Sequence, residues 1–190
     1  VDPIYQLMTN PEADVAALLP VARPVEPGVP RRPYQMLPPV SIGRLTGFIE
    51  RLHRLGGRED MFELARALHL EADEIIALAE AADLLDFATI EAGDIVLTPV
   101  GQAFAEADVL REKEIFRHQA LAHVELIRDI VQELAATPGH RLPEERILAR
   151  LQAVFTPDEA RRQLDTAIGW GRYAEAFAYD DHAGALYLEE

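Results

Sequence analysis

Seven of the chain's 13 prolines fall between Pro20 and Pro39. Each fixes φ near about −65° and removes a backbone donor, so this stretch reads as an extended linker that can join neither a helix nor a central strand. It sets the organisation of everything else. Residues 1–19 are a short tail segment, residues 20–40 a proline-rich linker, and the folded part begins at Ser41. In the tail, Asp2 can cap a helix, Pro3 suits its first position, and Ile4, Leu7 and Met8 share a face. The chain opens on Val1 without a charged-then-apolar leader, and it reads as a piece cut from a longer protein.

Beyond the linker the hydrophobic period is helical. Ser41 can cap a helix carrying Ile42, Leu45, Phe48, Ile49, Leu52 and Leu55, ended by Gly56-Gly57. Met61, Leu64, Ala65 and Leu68 mark a second helix. Ile75, Ile76, Ala79, Ala82 and Leu84 mark a third, from Glu71 to Phe87. The period then shortens to two: residues 87–90 and 95–98 flank Glu91-Ala92-Gly93-Asp94, a hairpin signal. Thr98-Pro99 opens a further helix.

The second half repeats the plan. One long helix is expected from Leu110 to Ala136, ended by Pro138-Gly139. Leu142-Pro143 opens a shorter one through Phe155. Thr156-Pro157-Asp158-Glu159 is a capping box for a helix that runs to Gly169-Trp170-Gly171. Tyr173 to Tyr179 and Ala185 to Leu188 then read as a second hairpin. The expected fold is therefore mainly α with small β-hairpins (α+β), as two tandem winged-helix-like units, residues 41–108 and 109–190, after a proline-rich tether.

Charge opposes the usual use of such units. Lys+Arg is 18 against Asp+Glu 33, a net −15, and Lys113 is the sole lysine. The helix that would enter a DNA groove, Glu71 to Phe87, carries Glu71, Asp73, Glu74, Glu80, Asp83 and Asp86 with no Lys or Arg. A groove-bound helix sits among phosphates and needs cations around it. Nucleic acid is not an expected partner. Neither is the bilayer interior, because no apolar run approaches the roughly 18 residues of a membrane span.

Catalytic patterns are missing as well. Cysteine is absent, which removes thiolate chemistry and disulfides. The histidines (His53, His69, His118, His123, His140, His182) include no pair spaced i, i+4, and no HExxH occurs. Ser41 is the lone serine and has a capping role. The glycines at 43, 47, 56 and 57 lack the Lys and Ser/Thr of a GxxxxGK[ST] phosphate loop. No catalytic residue, cofactor or metal ligand is expected. Two features remain. Trp170, Arg172 and Tyr173 form an aromatic and cationic cluster that reads either as a small core anchored by Trp170 or as a partner-contact surface. Arg161, Arg162 and Arg172 are candidate contacts for a small anion, or else partners of nearby carboxylates.

Several blocks carry a family resemblance: Ser41 to Asp60, Asp94 to Gly101, Phe104 to Asp108, Ile115-Phe116-Arg117, His140 to Pro143, and above all the 13-residue run Gln163 to Glu175. Together they resemble the C-terminal AAA-associated domain that follows the ATPase domain in some ATP-binding subunits of nitrate/sulfonate/bicarbonate-type ABC importers. The likeness spans Val40 to Leu188, and Val1 to Thr9 is similar to the tail leaving that ATPase domain. It implies a cytoplasmic accessory or regulatory module, peripheral to the inner membrane through its transporter. Its partners would be the ATPase domain of the same chain, the transporter assembly and, in a homodimer, a second copy. The resemblance supplies no catalytic residues. Two other readings stay open: a domain sensing a small anion or metabolite, and an acidic winged-helix transcription regulator.

Overall fold

Eight α-helices and six short strands are present among residues 34–189, which are the residues that the computed structural model describes. The tail (1–19) and residues 20–33 of the expected linker lie outside the described residues. The described part forms one unit of mainly helical structure with two small antiparallel sheets.

Helix α1 (Ile42–Arg54) buries the stripe Ile42, Leu45, Phe48, Ile49 and Leu52. Three residues after it, β1 (Arg58–Asp60) leads into α2 (Met61–Leu68), whose first turn is capped by the Asp60 carboxylate. Helix α3 (Ala72–Leu84) turns Ile75, Leu78, Ala79, Ala81 and Ala82 inward. Ile76, expected to face in, is 45% exposed instead. The rest of the expected stripe holds, with Ile75, Ala79 and Ala82 buried and Leu84 half-buried, and Leu78 and Ala81 fill the place given to Ile76. Strands β2 (Ala88–Glu91) and β3 (Asp94–Leu97) pair across a two-residue turn, Ala92-Gly93, with both residues at positive φ. This is the twist-matched hairpin geometry that glycine favours.

Helices α4 (Pro99–Glu106) and α5 (Val109–His123) follow. The single long helix expected over 110–136 is two helices: Val124 is extended (φ −102°, ψ 98°) and α6 occupies Glu125–Ala136. No proline or glycine causes this break. The Arg128 guanidinium reaches back to the carbonyls of Leu121 (3.1 Å) and Ala122 (3.0 Å), which satisfies acceptors left open by the end of α5. A 3-10 turn (Pro138–His140) leads to β4 (Arg141–Pro143), α7 (Glu144–Gln152) and α8 (Pro157–Tyr173). The last strands are β5 (Ala178–Asp180) and β6 (Ala185–Tyr187).

The two halves share one order, helix–strand–helix–helix–strand–strand, starting at α1 and at α6. The sheet orders also correspond, β1-β3-β2 and β4-β6-β5, all antiparallel. Strands β1 and β4 were not legible in the sequence, since three residues are too few to show a period. Helices α4 and α5 lie between the repeats, so the expected division at 108/109 falls inside a connecting helical pair. Phe104 of α4 stacks on Phe87 (4.4 Å), Phe87 meets Phe116 of α5 (6.3 Å), and Phe116 meets Trp170 and Tyr173 of α8 edge-on (6.1 and 5.1 Å). One aromatic series thus crosses from the first half to the second. Each such pair adds roughly 0.5–1.5 kcal/mol beyond its area burial.

Candidate interaction surface

The expected linker does not end at Val40 as a free tether. Residues 34–40 are laid against the second half as a strap. Leu37, Pro38 and Val40 are buried. The Tyr34 hydroxyl donates to Asp129 of α6 (2.7 Å). Gln163 of α8, 2% exposed, accepts from the Leu37 N–H (2.6 Å) and donates to the Leu37 carbonyl (3.1 Å). One side-chain amide therefore replaces the pairing that a neighbouring strand would give. The Trp170 indole N–H donates to the Val40 carbonyl (2.8 Å). Proline removes donors along the strap, and these two side chains satisfy backbone groups that remain and would otherwise be buried without partners.

Trp170 is 1% exposed, packed against Phe116 and hydrogen-bonded to the strap. Of the two readings of this cluster, the core reading describes Trp170: a side chain closed off to this degree presents no surface to a partner. Nor does Gly169-Trp170-Gly171 end its helix, as expected; α8 continues to Tyr173. Gly171 is there for packing, since a Cβ at that position would come 2.1 Å from the Phe177 ring. Tyr173 is half-buried and its hydroxyl donates to Glu112 of α5, which also accepts from Thr46 of α1 (3.1 Å). Burial, reinforced by Glu112, raises the Tyr173 phenol well above its ordinary range. Arg172 is exposed, and its guanidinium has no hydrogen bond or ion pair among the described residues.

The three candidate anion contacts are not brought together. Arg161 is held by Glu144 (2.7 Å) and Asp165 (2.9 Å). Arg162 pairs with Glu159 (2.5 Å). The Arg161 hydrogen bond, followed by that of Tyr179, lowers the Glu144 carboxyl, and Glu144 in turn raises Arg161. Gln163 and then Arg162 lower Glu159. Arg161 and Arg162 are thus each matched by a carboxylate, and of the three only Arg172 has no ion pair among the described residues. Among the described residues no group of three or more His, Asp or Glu could hold a metal ion.

Two shallow depressions flank the strap. The first, of about 640 Å³, lies between the strap, the end of α3, β2 and the start of α8. The second, of about 550 Å³, lies between Pro39–Ile42 and the 162–173 stretch of α8. Arg162 borders both; Arg161 and Arg172 border neither. Sequence reasoning missed the strap residues and Gln163. A glutamine inside the stripe Ala160, Leu164, Ala167, Ile168 was the available signal, because a polar residue at a core position needs a dedicated partner.

The family model described as the C-terminal AAA-associated domain matches residues 62–180, from the start of α2 to the end of β5. The chain belongs to that family. No curated protein and no solved structure matches it. The match covers β2 to β5 and the helices from α2 to α8, but it leaves out the strap, α1, β1 and β6.

Proposed function

We propose that this chain is a non-catalytic accessory and regulatory domain of an ABC-type ATPase subunit, in the nitrate/sulfonate/bicarbonate importer class. On this reading it acts through protein contacts made by two winged-helix-like lobes. The family match over 62–180 carries the reading. The repeated element order and matching sheet orders support the winged-helix description. An acidic α3 supports protein rather than nucleic acid as the partner. No helix among the described residues is long and apolar enough to cross a membrane. The domain would sit at the cytoplasmic face through its transporter. Because ABC ATPases work in pairs, the reading extends to a C2 dimer.

The test is made in the polypeptide where this domain follows an ATPase domain. Deleting residues 34–189 should leave nucleotide binding intact while changing the rate of ATP hydrolysis or its coupling to transport. Unchanged hydrolysis, coupling and transport would overturn the proposal. Light scattering on the 190-residue chain should show a dimer at high concentration, and a monomer throughout would remove the C2 extension.

A further inference from the structure

The 640 Å³ depression beside the strap combines two properties that the rest of the fold does not explain. Its floor is hydrocarbon left in water: Met36 is 58% exposed and Ile90 is 44% exposed, beside Leu84 and Pro38. Its wall on the α3 side is acidic and uncompensated. Glu80 and Asp83 stand in the last turns of α3, where the aligned peptide dipoles already place partial negative charge. That last turn has no basic residue, and Asp86 stands two residues beyond it. Most arginines in this protein find a carboxylate or a carbonyl, yet Glu80, Asp83 and Asp86 form no ion pair among the described residues. Across the groove, Glu159 is occupied by Arg162 and Gln163.

We infer that this groove docks a short extended segment of another protein, one that sets an aliphatic side chain between Arg or Lys residues. The aliphatic group would cover Met36 and Ile90, and the flanking cations would supply the charge that the end of α3 lacks. Charge complementarity selects this occupant. A phosphate backbone or an anionic lipid headgroup would meet the same carboxylates and be repelled. A second copy would bring net charge −15 against this wall, and only Arg51 and Arg172 have side chains without a hydrogen bond or ion pair among the described residues. The inference deepens the accessory-domain reading and rests on it for the existence of a partner; it adds the surface and the partner's chemistry.

Fluorescence anisotropy on the 190-residue chain tests it with a labelled peptide Arg-Leu-Arg-Leu-Arg, its Glu-Leu-Glu-Leu-Glu counterpart and an Arg-Ser-Arg-Ser-Arg control. A contact this small should give a Kd on the order of 100 µM for the first peptide at low salt, weakening as salt rises. The acidic peptide should not bind, and the serine control should bind at least fivefold more weakly. Glu80→Lys with Asp83→Lys, both on the exposed face of α3, should raise Kd at least tenfold. Glu145→Lys with Asp181→Lys, equally exposed but remote from the groove, should change it less than twofold. Equal losses in the two double variants would reduce the effect to diffuse electrostatics and overturn the inference. So would equal binding of the leucine and serine peptides, or a dimer broken by Ile90→Asp in a chain that binds no peptide. If peptide binding fails while deletion of residues 34–189 still alters ATP hydrolysis, the groove assignment falls and the accessory-domain reading stands.

Discussion

Two glycines two residues apart in α8 have opposite roles. A methyl added at Gly171 would lie 2.1 Å from the ring of Phe177, which is itself 4% exposed and has nowhere to retreat. Gly171→Ala should therefore cost about 1–3 kcal/mol through overpacking, whereas Gly169→Ala meets nothing within 4 Å and should gain up to about 1 kcal/mol from helix propensity. Urea midpoints of the two variants check the contrast, and equal shifts would refute it. Gln163→Leu keeps the volume but leaves the Leu37 N–H and C=O unpaired in a closed site. A loss of about 1–3 kcal/mol is expected, with increased hydrogen exchange confined first to residues 34–40. The sequence showed Trp170 flanked by glycines, and glycine after an apolar stripe is ordinarily a helix terminator. What it could not show was Phe177 folding back onto the helix, a contact made only after the chain has turned.

At the scale of elements, local chemistry explains some ends and not others. Thr98 caps α4 as its position suggested, accepting from Gly101 N–H (3.0 Å) while donating to the Asp86 carbonyl (2.6 Å). Ser41 occupies the equivalent position before α1, yet its hydroxyl makes no capping bond. Thr98→Ala should cost about 1 kcal/mol or more and Ser41→Ala close to nothing, measured as paired thermal shifts. The expected capping box at Thr156 is half formed. Thr156 accepts from the Glu159 N–H (3.3 Å), but the Glu159 carboxylate turns to Arg162 and Gln163 instead of back to residue 156. The reciprocal bond that was not expected forms in α3, where Glu74 accepts from the Glu71 N–H (3.0 Å). The first hairpin was legible because period-two runs and turn residues are local signals; of the second, the strand expected from Tyr173 begins only at Ala178, because α8 runs on to Tyr173 and residues 174–177 make the turn out of it. The break at Val124 was not legible, since no proline or glycine marks it and the Arg128 side chain that serves its open carbonyls reaches six and seven residues back. Arg128→Ala should leave the Leu121 and Ala122 carbonyls dependent on water and raise exchange at the α5–α6 junction ahead of global unfolding.

Across the whole molecule, the shifted groups define a stability window in pH. Glu144, Glu159, Glu175 and Asp180 are all held below the usual carboxylate range by hydrogen bonds from Arg161, Gln163, Lys113 and Arg141 respectively. Groups lowered on folding stabilise fully above their unfolded values, about 4–4.5, and lose that contribution as pH falls through the folded ones. Tyr173 and Tyr179 are raised, by burial and by Glu144 respectively. Their contribution is complete below the unfolded value of about 10 and is lost as pH climbs through the folded values. Stability should therefore plateau from about pH 5 to 9 and fall on both sides. Tyr173→Phe should flatten the alkaline limb in a urea series, and an unchanged limb would refute the assignment. The strap adds a mechanical property to this picture. The polypeptide passes over the second repeat before it starts building the first, held there by one phenol, one amide and one indole. Tension applied at Tyr34 would load the Tyr34–Asp129, Leu37–Gln163 and Val40–Trp170 bonds before either repeat, so the seat of the strap on α6 and α8 is where a tug on this segment is first felt.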